Sequence, residues 1–324
     1  MKGKLLLTGI LTAAVILLPL ISLLADRHPA EPADVADPAA GTVGIMIRGE
    51  RVTLSMKDYI IGAVAAQMPA SLPDEALKAQ AVLAHTYALR RHQEELSSPT
   101  EALGGADIGD DPALYQAYFT NDEIRALYGV DTEAVMKRLE AAASYALTRT
   151  LTFEGEPIIA AFHPISSGMT ESALDAWGQN IPYLTSVPSE SDAEDPACAS
   201  SLTLSADELY VRLTAAFPDL SISREGLSAE VTQRSKAGSA LTVCLCGESF
   251  VPGRSFAEAA GLASAHFDII ATAEGFEFKC LGRGHLVGMS QLGAGAMAAS
   301  GASADEILAH YFPNALLSCT EPAV

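Results

Sequence analysis

The sequence predicts an α+β domain that follows a single transmembrane helix at the N-terminus. Three observations lead to this prediction. An uncharged run of about 20 residues follows Lys2 and Lys4, which is the length of a membrane-spanning helix. Further along the chain, alternating apolar and polar residues around short turns indicate β-hairpins. Capping residues followed by apolar residues at helical spacing indicate helices between them.

The apolar run LLLTGILTAAVILLPLISLL has lysines before it and Asp26 after it. This charge distribution places the N-terminus in the cytoplasm and the rest of the chain outside. A cleaved signal peptide ending at Ala25 is the alternative, but the length of the run and Leu23 near the cleavage position favour an uncleaved signal-anchor. We therefore expect a single-pass membrane protein with residues 1–25 as the anchor and residues 26–43, rich in Pro, Ala and Asp, as an extracytoplasmic linker.

The composition indicates a folded, acidic protein, with 49% hydrophobic residues and a formal net charge of -20. This excess of negative charge disfavours nucleic-acid binding. The five cysteines are odd in number, so at least one thiol is free, and either buried thiols or one disulfide can account for the others. The pair Cys244 and Cys246 has no clustered histidine or cysteine nearby and is weak evidence for zinc.

The predicted folded domain covers residues 44–320 and begins with the hairpin GIMIRGERVTLS. Ser55 and Asp58 then predict the start of a helix that continues to Met68, before Pro69. Positions 60, 64 and 67 share one face of this helix, so Gln67 is expected beside core residues in its last turn.

A second helix is predicted after Pro73, with acidic residues in its first turn. Two further helices are expected near residues 120–128 and 131–145. The hairpin RTLTFEGEPIIAAFH leads to His163, and the hairpin FDIIATAEGFEFKC leads into GRGHLVGMSQ. The segment SADEILAHYFP predicts a capped terminal helix.

Polar clusters occur at three element ends, in residues 67–75, 163–171 and 282–291. Element ends are where binding and catalytic residues concentrate. His163 and His285 each follow a hairpin and adjoin Ser and Gly, which predicts a shared site. The glycine-rich third cluster lacks the Lys-Ser/Thr ending of a phosphate-binding loop, so we do not expect it to bind nucleotide phosphates.

Three blocks of sequence resemble the stage II sporulation protein D family: SMKDYIIGAVAAQMPASLPDEALKAQAVLAHTYALR, FHPISSGMTESALDAWGQNIPYLTSV and GHLVGMSQLGAGAMAASGASADEILAHYFPNA. They occur in the family's order, and with their intervals the resemblance covers about residues 44 to 320. It implies a lytic transglycosylase that cuts peptidoglycan glycan strands stripped of their stem peptides. It also implies work with stage II sporulation proteins P and M while the mother cell engulfs the forespore. The same domain occurs in amidase enhancers.

The reaction that the resemblance implies can be carried out by one carboxyl group. This group first protonates the glycosidic oxygen, and as a carboxylate it then takes the proton from the C6 hydroxyl that closes a 1,6-anhydro ring. Water is not the nucleophile, so the second carboxylate of ordinary glycosidases is not needed.

The family pattern at the end of the first helix is A-S-E-M-P, whereas this chain reads AAQMP, so Gln67 stands at the position of the family's catalytic Glu. An amide cannot donate and recover a proton near neutral pH. Glu75 matches a Glu of the family and is a candidate replacement for the acid. Alternatively, it is a first-turn acid that stabilises its own helix.

The resemblance also implies a set of substrate-binding residues: His163, Ser166, Thr170, Glu171, His285, Ser290 and Gln291. Glu171 is expected to orient His163 or to bind sugar hydroxyls. Ser167 and Leu286 replace family glycines. Relatives hold zinc with Cys and His at positions that are Met169, Leu174 and Asp175 here, so we expect no metal and no cofactor.

The sequence as a whole predicts a sporulation protein that acts on peptidoglycan between the mother-cell and forespore membranes, resembling a lytic transglycosylase. The alternative is a catalytically weakened glycan-binding scaffold or amidase enhancer, because of Gln67. A zinc hydrolase is the least favoured possibility.

Overall fold

The computed structural model describes residues 41–319. The predicted anchor, residues 1–25, lies outside the described residues, as does nearly all of the predicted linker. Within residues 41–319 no helix combines the length and apolarity that a membrane span requires. The described chain mixes helices and strands, which confirms the predicted α+β class.

The helices of the described residues are α1 Met56–Gln67, α2 Asp74–Ser97, α3 Asn121–Tyr128, α4 Thr132–Ala146, α5 Ala173–Trp177, α6 Glu190–Glu194, α7 Ala206–Ala216, α8 Gly253–Ala260, α9 Gln291–Ala299 and α10 Ala304–Tyr311. The strands are β1 Thr42–Ile47, β2 Glu50–Ser55, β3 Arg149–Phe153, β4 Glu156–Pro157, β5 Phe162–His163, β6 Ala199–Ser205, β7 Ala229–Arg234, β8 Ala240–Leu245, β9 Ser249–Pro252, β10 Phe267–Thr272, β11 Gly275–Leu281, β12 Met289–Ser290 and β13 Leu316–Cys319.

The strands form small sheets. Strands β1 and β2 pair antiparallel, as do the members of β13-β3-β4, β10-β11-β6 and β7-β8-β9. The exception is the parallel pair β12 and β5, in which Ser290 lies opposite His163. This pair brings the second and third sequence blocks together.

Two hydrophobic cores organise these elements. The first core packs α1, α2, α4 and α10 against β1 and β3, and it contains buried residues from all three sequence blocks. The second core lies within residues 199–281, which we call the inserted lobe because they separate the second block from the third. Its centre is a group of phenylalanine rings, Phe256, Phe267 and Phe278, with ring centroids 5.5 to 6.5 Å apart.

The local signals in the sequence correctly identified the helices and hairpins around the three blocks. Ser55 caps α1 by accepting a hydrogen bond from the Asp58 N–H at 3.0 Å. Helix α2 begins directly after Pro73, and Ser303 caps α10 with a complete capping box. The hairpins predicted at β1-β2, β3-β4 and β10-β11 are all present.

Gly62 shapes the part of α1 that faces the segment 112–119. A Cβ atom at this position would lie 2.4 Å from the Phe119 carbonyl oxygen and 2.2 Å from the Tyr118 ring. The Phe119 N–H donates to the Gly62 carbonyl at 3.1 Å. The missing side chain therefore lets this segment run close to α1, beside Gln67.

Candidate functional site

The three sequence blocks meet at a cleft with a volume of about 550 Å³. Gln67 lies in its wall at the end of α1, Trp177 at the end of α5 and His285 in the loop before β12. Helix α2 contributes Arg90, Arg91 and Glu94 to the same wall, and the segment 112–117 closes the remaining side. Residues distant in sequence thus form one concave surface, as ligand sites commonly do.

A chain of amide hydrogen bonds fixes Gln67 at the inner end of this cleft. The Gln67 Nε2 atom lies 2.9 Å from the Ala117 carbonyl oxygen, which can only accept, so the NH2 group faces Ala117. The Gln67 Oε1 atom then accepts from Gln80 Nε2 at 3.2 Å. Gln291 Nε2 donates to the Gln67 backbone carbonyl at 2.9 Å and to Gln80 Oε1 at 3.2 Å. Each of the three side-chain NH2 groups in this series of hydrogen bonds has an acceptor.

The orientation of Gln67 defines what a carboxyl group would experience at position 67. One carboxyl oxygen would accept from Gln80, and the other would face the Ala117 carbonyl oxygen. Two acceptors at hydrogen-bond distance repel each other unless one of them carries a proton. The surroundings therefore favour the protonated carboxylic acid over the carboxylate. Gln67, with an oxygen and an NH2 group in these two places, has the hydrogen-bonding pattern of that protonated acid.

His163 and His285 both form hydrogen bonds with the backbone of Val287. The Val287 carbonyl accepts from His163 Nδ1 at 3.1 Å, and the Val287 N–H donates to His285 Nδ1 at 3.1 Å. Because a carbonyl only accepts and an N–H only donates, His163 carries its proton on Nδ1 and His285 accepts through an unprotonated Nδ1. The ring centroids are 5.9 Å apart, so the two histidines lie close enough for the shared site that the sequence predicts.

Both histidines are neutral at physiological pH. Burial lowers the pKa of His163 to about 3, with a smaller lowering from the neighbouring His285. Burial also lowers the pKa of His285 to about 4, and the positive charge of Arg254 adds to the effect. The Nε2 atom of His163 is buried and has no hydrogen-bond partner in residues 41–319. Neither ring can act as a general acid near pH 7, because neither carries the second proton of an imidazolium.

Trp177 is a cleft residue that we did not select from the sequence. Its ring packs edge-on against His285 with centroids 5.4 Å apart, and it is only partly buried. Tyr115 is a second aromatic lining residue, held by Arg91 at 5.4 Å from its ring centroid. Trp177 is the sole tryptophan of the sequence and lies inside the second block. These two features were the signal by which the sequence could have identified it as a site residue. Nothing in the sequence pairs the segment 112–117 with α1.

Glu75 does not line the cleft. Its Oε1 atom accepts from Lys78 Nζ at 2.6 Å and its Oε2 atom accepts from the Ala304 N–H at 2.9 Å, at the first residue of α10. The hydrogen bond from Lys78 lowers the pKa of Glu75, and the Ala304 N–H acts in the same direction. These contacts are those of an acid that stabilises helix ends, the second of the two alternatives.

Glu171 interacts with the inserted lobe. Its Oε1 atom accepts from Ser235 Oγ at 2.6 Å and from the Ser239 N–H at 3.3 Å. The predicted contact of Glu171 with His163 is absent from the described residues, in which the His163 Nδ1 proton goes to Val287. The prediction could not identify these partners because they lie more than sixty positions away in the chain.

Three predicted substrate-binding residues are fully buried and do not line the cleft: Ser166, Thr170 and Ser290. The Ser166 hydroxyl accepts from the Gly168 N–H at 3.1 Å, and the Thr170 hydroxyl accepts from the Val187 N–H at 2.9 Å. Ser290 caps α9. All three side chains bind backbone groups that hold the second and third blocks in place.

The two replaced glycines have different backbone conformations. Leu286 has φ 63°, in the left-handed region where a side chain is unfavourable, whereas Ser167 does not adopt positive φ. The cysteines at 198, 244, 246, 280 and 319 are all free thiols. Residues 41–319 contain no group of three His, Cys, Asp or Glu side chains suited to a metal ion.

Comparison with known proteins gives a consistent set of relatives. Residues 49–153 match the family described as stage II sporulation protein. The chain is 33% identical over 267 residues to stage II sporulation protein D of Bacillus subtilis, covering 82% of this chain and 75% of that protein. It is 31% identical to stage II sporulation protein D of Bacillus amyloliquefaciens, over 80% of this chain and 73% of that protein. An amidase enhancer of Bacillus subtilis is 28% identical over 46% of this chain and 17% of that protein.

Proposed function

The chain belongs to the stage II sporulation protein D family, and on this premise we propose that it binds peptidoglycan glycan strands in the cleft beside Gln67 during sporulation. It holds the strand without cutting it efficiently. Its place is the space between the mother-cell and forespore membranes, where residues 1–25 anchor it. Stage II sporulation proteins P and M are its proposed partners.

The observation that carries this proposal is the orientation of Gln67. Its NH2 group donates to Ala117 and its oxygen accepts from Gln80, so the cleft keeps the surroundings of a proton-donating acid. The residue itself has no proton to transfer near neutral pH. General acid catalysis contributes about 10²–10⁴-fold to a rate, and this contribution is the one that the amide lacks.

The cleft has the surfaces that a glycan requires. The rings of Trp177 and Tyr115 supply apolar faces for sugar rings, while Tyr87, Gln116 and Arg90 supply polar groups for hydroxyls and acetamides. A volume of about 550 Å³ accommodates more than one sugar ring. A cleft that combines aromatic faces with hydrogen-bonding groups is suited to a polar ligand with apolar ring faces.

A second candidate is the lytic transglycosylase reaction itself, with a relocated acid. The observation in its favour is Glu94, the carboxyl group among the described residues that line the cleft. Glu94 forms ion pairs with Arg90 at 2.9 Å and Arg91 at 2.7 Å. Each carboxylate oxygen of Glu94 is therefore already engaged by a guanidinium group, which places this candidate second.

Full-length protein in detergent, mixed with glycan strands stripped of peptides, tests both candidates. Glycan binding is measured by co-sedimentation, and mass spectrometry counts new 1,6-anhydro ends. We expect binding without new ends. Anhydro ends that disappear with Glu94→Gln would support the second candidate. No binding to the strands would overturn the proposal.

A further inference from the structure

A second cavity, of about 350 Å³, has His285 in its wall as the cleft does. Its other walls come from α5 on one side and from the inserted lobe on the other. The family resemblance of the three sequence blocks implies no ligand for this cavity, and the proposed glycan site does not include it. Cavities between packed units of a chain are frequent ligand sites.

The walls of this cavity are largely aliphatic. They are formed by small apolar side chains: Ala176, Ala240, Leu241, Pro252, Ala257 and Leu262. Apart from His285, the lining contains no aromatic ring, in contrast to the cleft with Trp177 and Tyr115. Aliphatic walls bury an alkyl chain well but offer no flat face to a sugar ring.

A buried carboxyl group lies among these apolar walls. Glu171 is 2% exposed, and its Oε1 atom accepts from Ser235 and Ser239. Its Oε2 atom is buried and has no hydrogen-bond donor among residues 41–319. A buried acceptor without a donor is costly, and a donor supplied by a ligand removes that cost.

The charges around the cavity favour a cation. Glu171, Asp175 and Glu258 contribute three carboxyl groups to the lining, against the single guanidinium of Arg254. Arg254 Nε already lies 2.8 Å from Glu258 Oε1. Glu171 and Asp175 are therefore left without a cationic partner among the lining residues.

From the aliphatic walls, the unpartnered Glu171 oxygen and the excess of carboxyl groups, we infer that this cavity binds a primary ammonium group carried on a short alkyl chain. The alkyl chain packs against the alanines of α5, β8 and α8. The ammonium group donates to Glu171 Oε2, as charge-assisted donors do with carboxylates. The chemistry is shared by a lysine or diamino-acid side chain of a peptide and by a free diamine.

Isothermal titration of the full-length protein in detergent tests this inference with two probes. The first is N-α-acetyl-lysine methylamide, and the second is 1,5-diaminopentane. The matched control is N-α-acetyl-norleucine methylamide, which has the alkyl chain but no ammonium group. We expect at least one amine to bind and the norleucine compound to bind about tenfold more weakly or not at all. Binding of the peptide probe alone assigns the site to a peptide side chain, and binding of the diamine alone assigns it to a free diamine.

Two variants locate the binding. Glu171→Gln keeps an oxygen for Ser235 and Ser239 and removes the charge, so the fold is retained and amine affinity falls about tenfold or more. Ala263→Leu fills the cavity from its partly exposed side and also reduces affinity. Glu277→Gln removes one charge elsewhere in the inserted lobe and leaves affinity unchanged. Melting temperatures confirm that each variant is folded.

Three results would overturn the inference. They are binding of neither amine, equal binding of the norleucine compound, and unchanged amine affinity in a folded Glu171→Gln variant. Glycan co-sedimentation of the Ala263→Leu variant separates this site from the cleft, because Ala263 lines only the cavity and loss of amine binding with intact glycan binding concerns the cavity alone.

Discussion

Two polar regions lie on either side of the short loop between α1 and α2, and they differ in charge. At the end of α1, Gln67 joins Gln80 and Gln291 in a chain of neutral amides. At the start of α2, Glu75 joins Lys78 and the N-terminus of α10 in an ionised group. The neutral region borders the cleft through Gln67, whereas the ionised region holds helices together.

The two regions show that groups suited to binding a ligand need not be able to transfer a proton. His163 and His285 are uncharged as well, since their pKa values lie far below neutrality. Neutral donors and acceptors bind hydroxyls and acetamides well, but none of these groups exchanges a proton at pH 7. Glu75 is an acid only a few residues along the chain, but it is ionised and held by Lys78 and α10 outside the cleft. It therefore supplies no proton to the cleft.

The largest expected effect comes from Gln67→Glu, which places an ionisable group in the neutral region. The introduced carboxyl would face the Ala117 carbonyl and Gln80, which favours the protonated state that a general acid needs. We expect formation of 1,6-anhydro ends to rise about 10²–10⁴-fold over the natural protein. Mass spectrometry of digested glycan strands measures the change.

Gln67→Met is the matched control, because it fills a similar volume without donating a proton. We expect it to remain inactive. Activity of the Gln67→Glu variant should also decrease as pH rises through the elevated pKa of the new carboxyl. A folded, glycan-binding Gln67→Glu variant without any cutting would show that the acid belongs elsewhere.

The sequence predicted the neutral region only in part. Gln67 was selected because it replaces the Glu of a family motif, and Gln291 because it matches one. Capping residues and hairpin turns placed their elements correctly. Gln80, Trp177 and the Ala117 carbonyl were not selected, since their roles arise from packing across 13 to more than 200 positions. Local periodicity carries no information about such distant partners.

The second core of the inserted lobe was also missed. Its strands and helices have ordinary local signals, and the hairpin β10-β11 was predicted. That they close around their own phenylalanine cluster depends on the pairing of β6 with β11, which lie about 75 positions apart. The partners of Glu171 in this lobe could not be predicted for the same reason.

A second prediction concerns the two buried histidines, His163 and His285. In the unfolded chain both histidines become protonated below about pH 6.5. In the folded protein His163 and His285 stay neutral until the pH approaches about 3 and about 4, respectively. Stability therefore falls as pH decreases through this window, by about 1.4 kcal/mol per pH unit for each histidine. His163→Asn keeps a donor for Val287 and removes one titrating group.

Urea unfolding at pH 6.5 and pH 5 measures this effect. We expect the natural protein to lose about 2 kcal/mol more than the variant over the interval. His85 and His266, whose pKa values burial also lowers, contribute the same background to both proteins. Equal losses in the two proteins would show that His163 is not held neutral.

A third prediction tests how the cleft binds its ligand. Trp177→Ala removes the ring that packs on His285 and faces the cleft, so we expect glycan affinity to fall about tenfold. Trp177→Phe keeps an aromatic face and should lose less. Fluorescence of this sole tryptophan in the natural protein offers a direct titration signal. Unchanged affinity in Trp177→Ala would remove Trp177 from the site.

The smallest expected effect belongs to the ionised region. Glu75→Gln breaks the ion pair with Lys78 while the amide oxygen can still accept from the Ala304 N–H. Both side chains of the pair are about one-third exposed, at 28% and 33%, so solvent screens much of their attraction. We therefore expect a loss of only about 0.5–1 kcal/mol of unfolding free energy at pH 7. Glu133→Gln, a first-turn acid of α4, is the matched control and should change stability less.

The pH dependence of this small effect has a definite sign. Lys78 lowers the pKa of folded Glu75 below 4.5, so its contribution is present above that pH and is lost as pH falls through the folded pKa. The difference between natural protein and Glu75→Gln should therefore vanish once the pH is below the folded pKa of Glu75. In the Gln67→Glu background, Glu75→Gln should leave glycan cutting unchanged, because Glu75 stabilises helices outside the cleft. A loss of cutting at unchanged stability would instead place Glu75 in the reaction. The ionised region would then take part in catalysis and would not serve only to hold helices together.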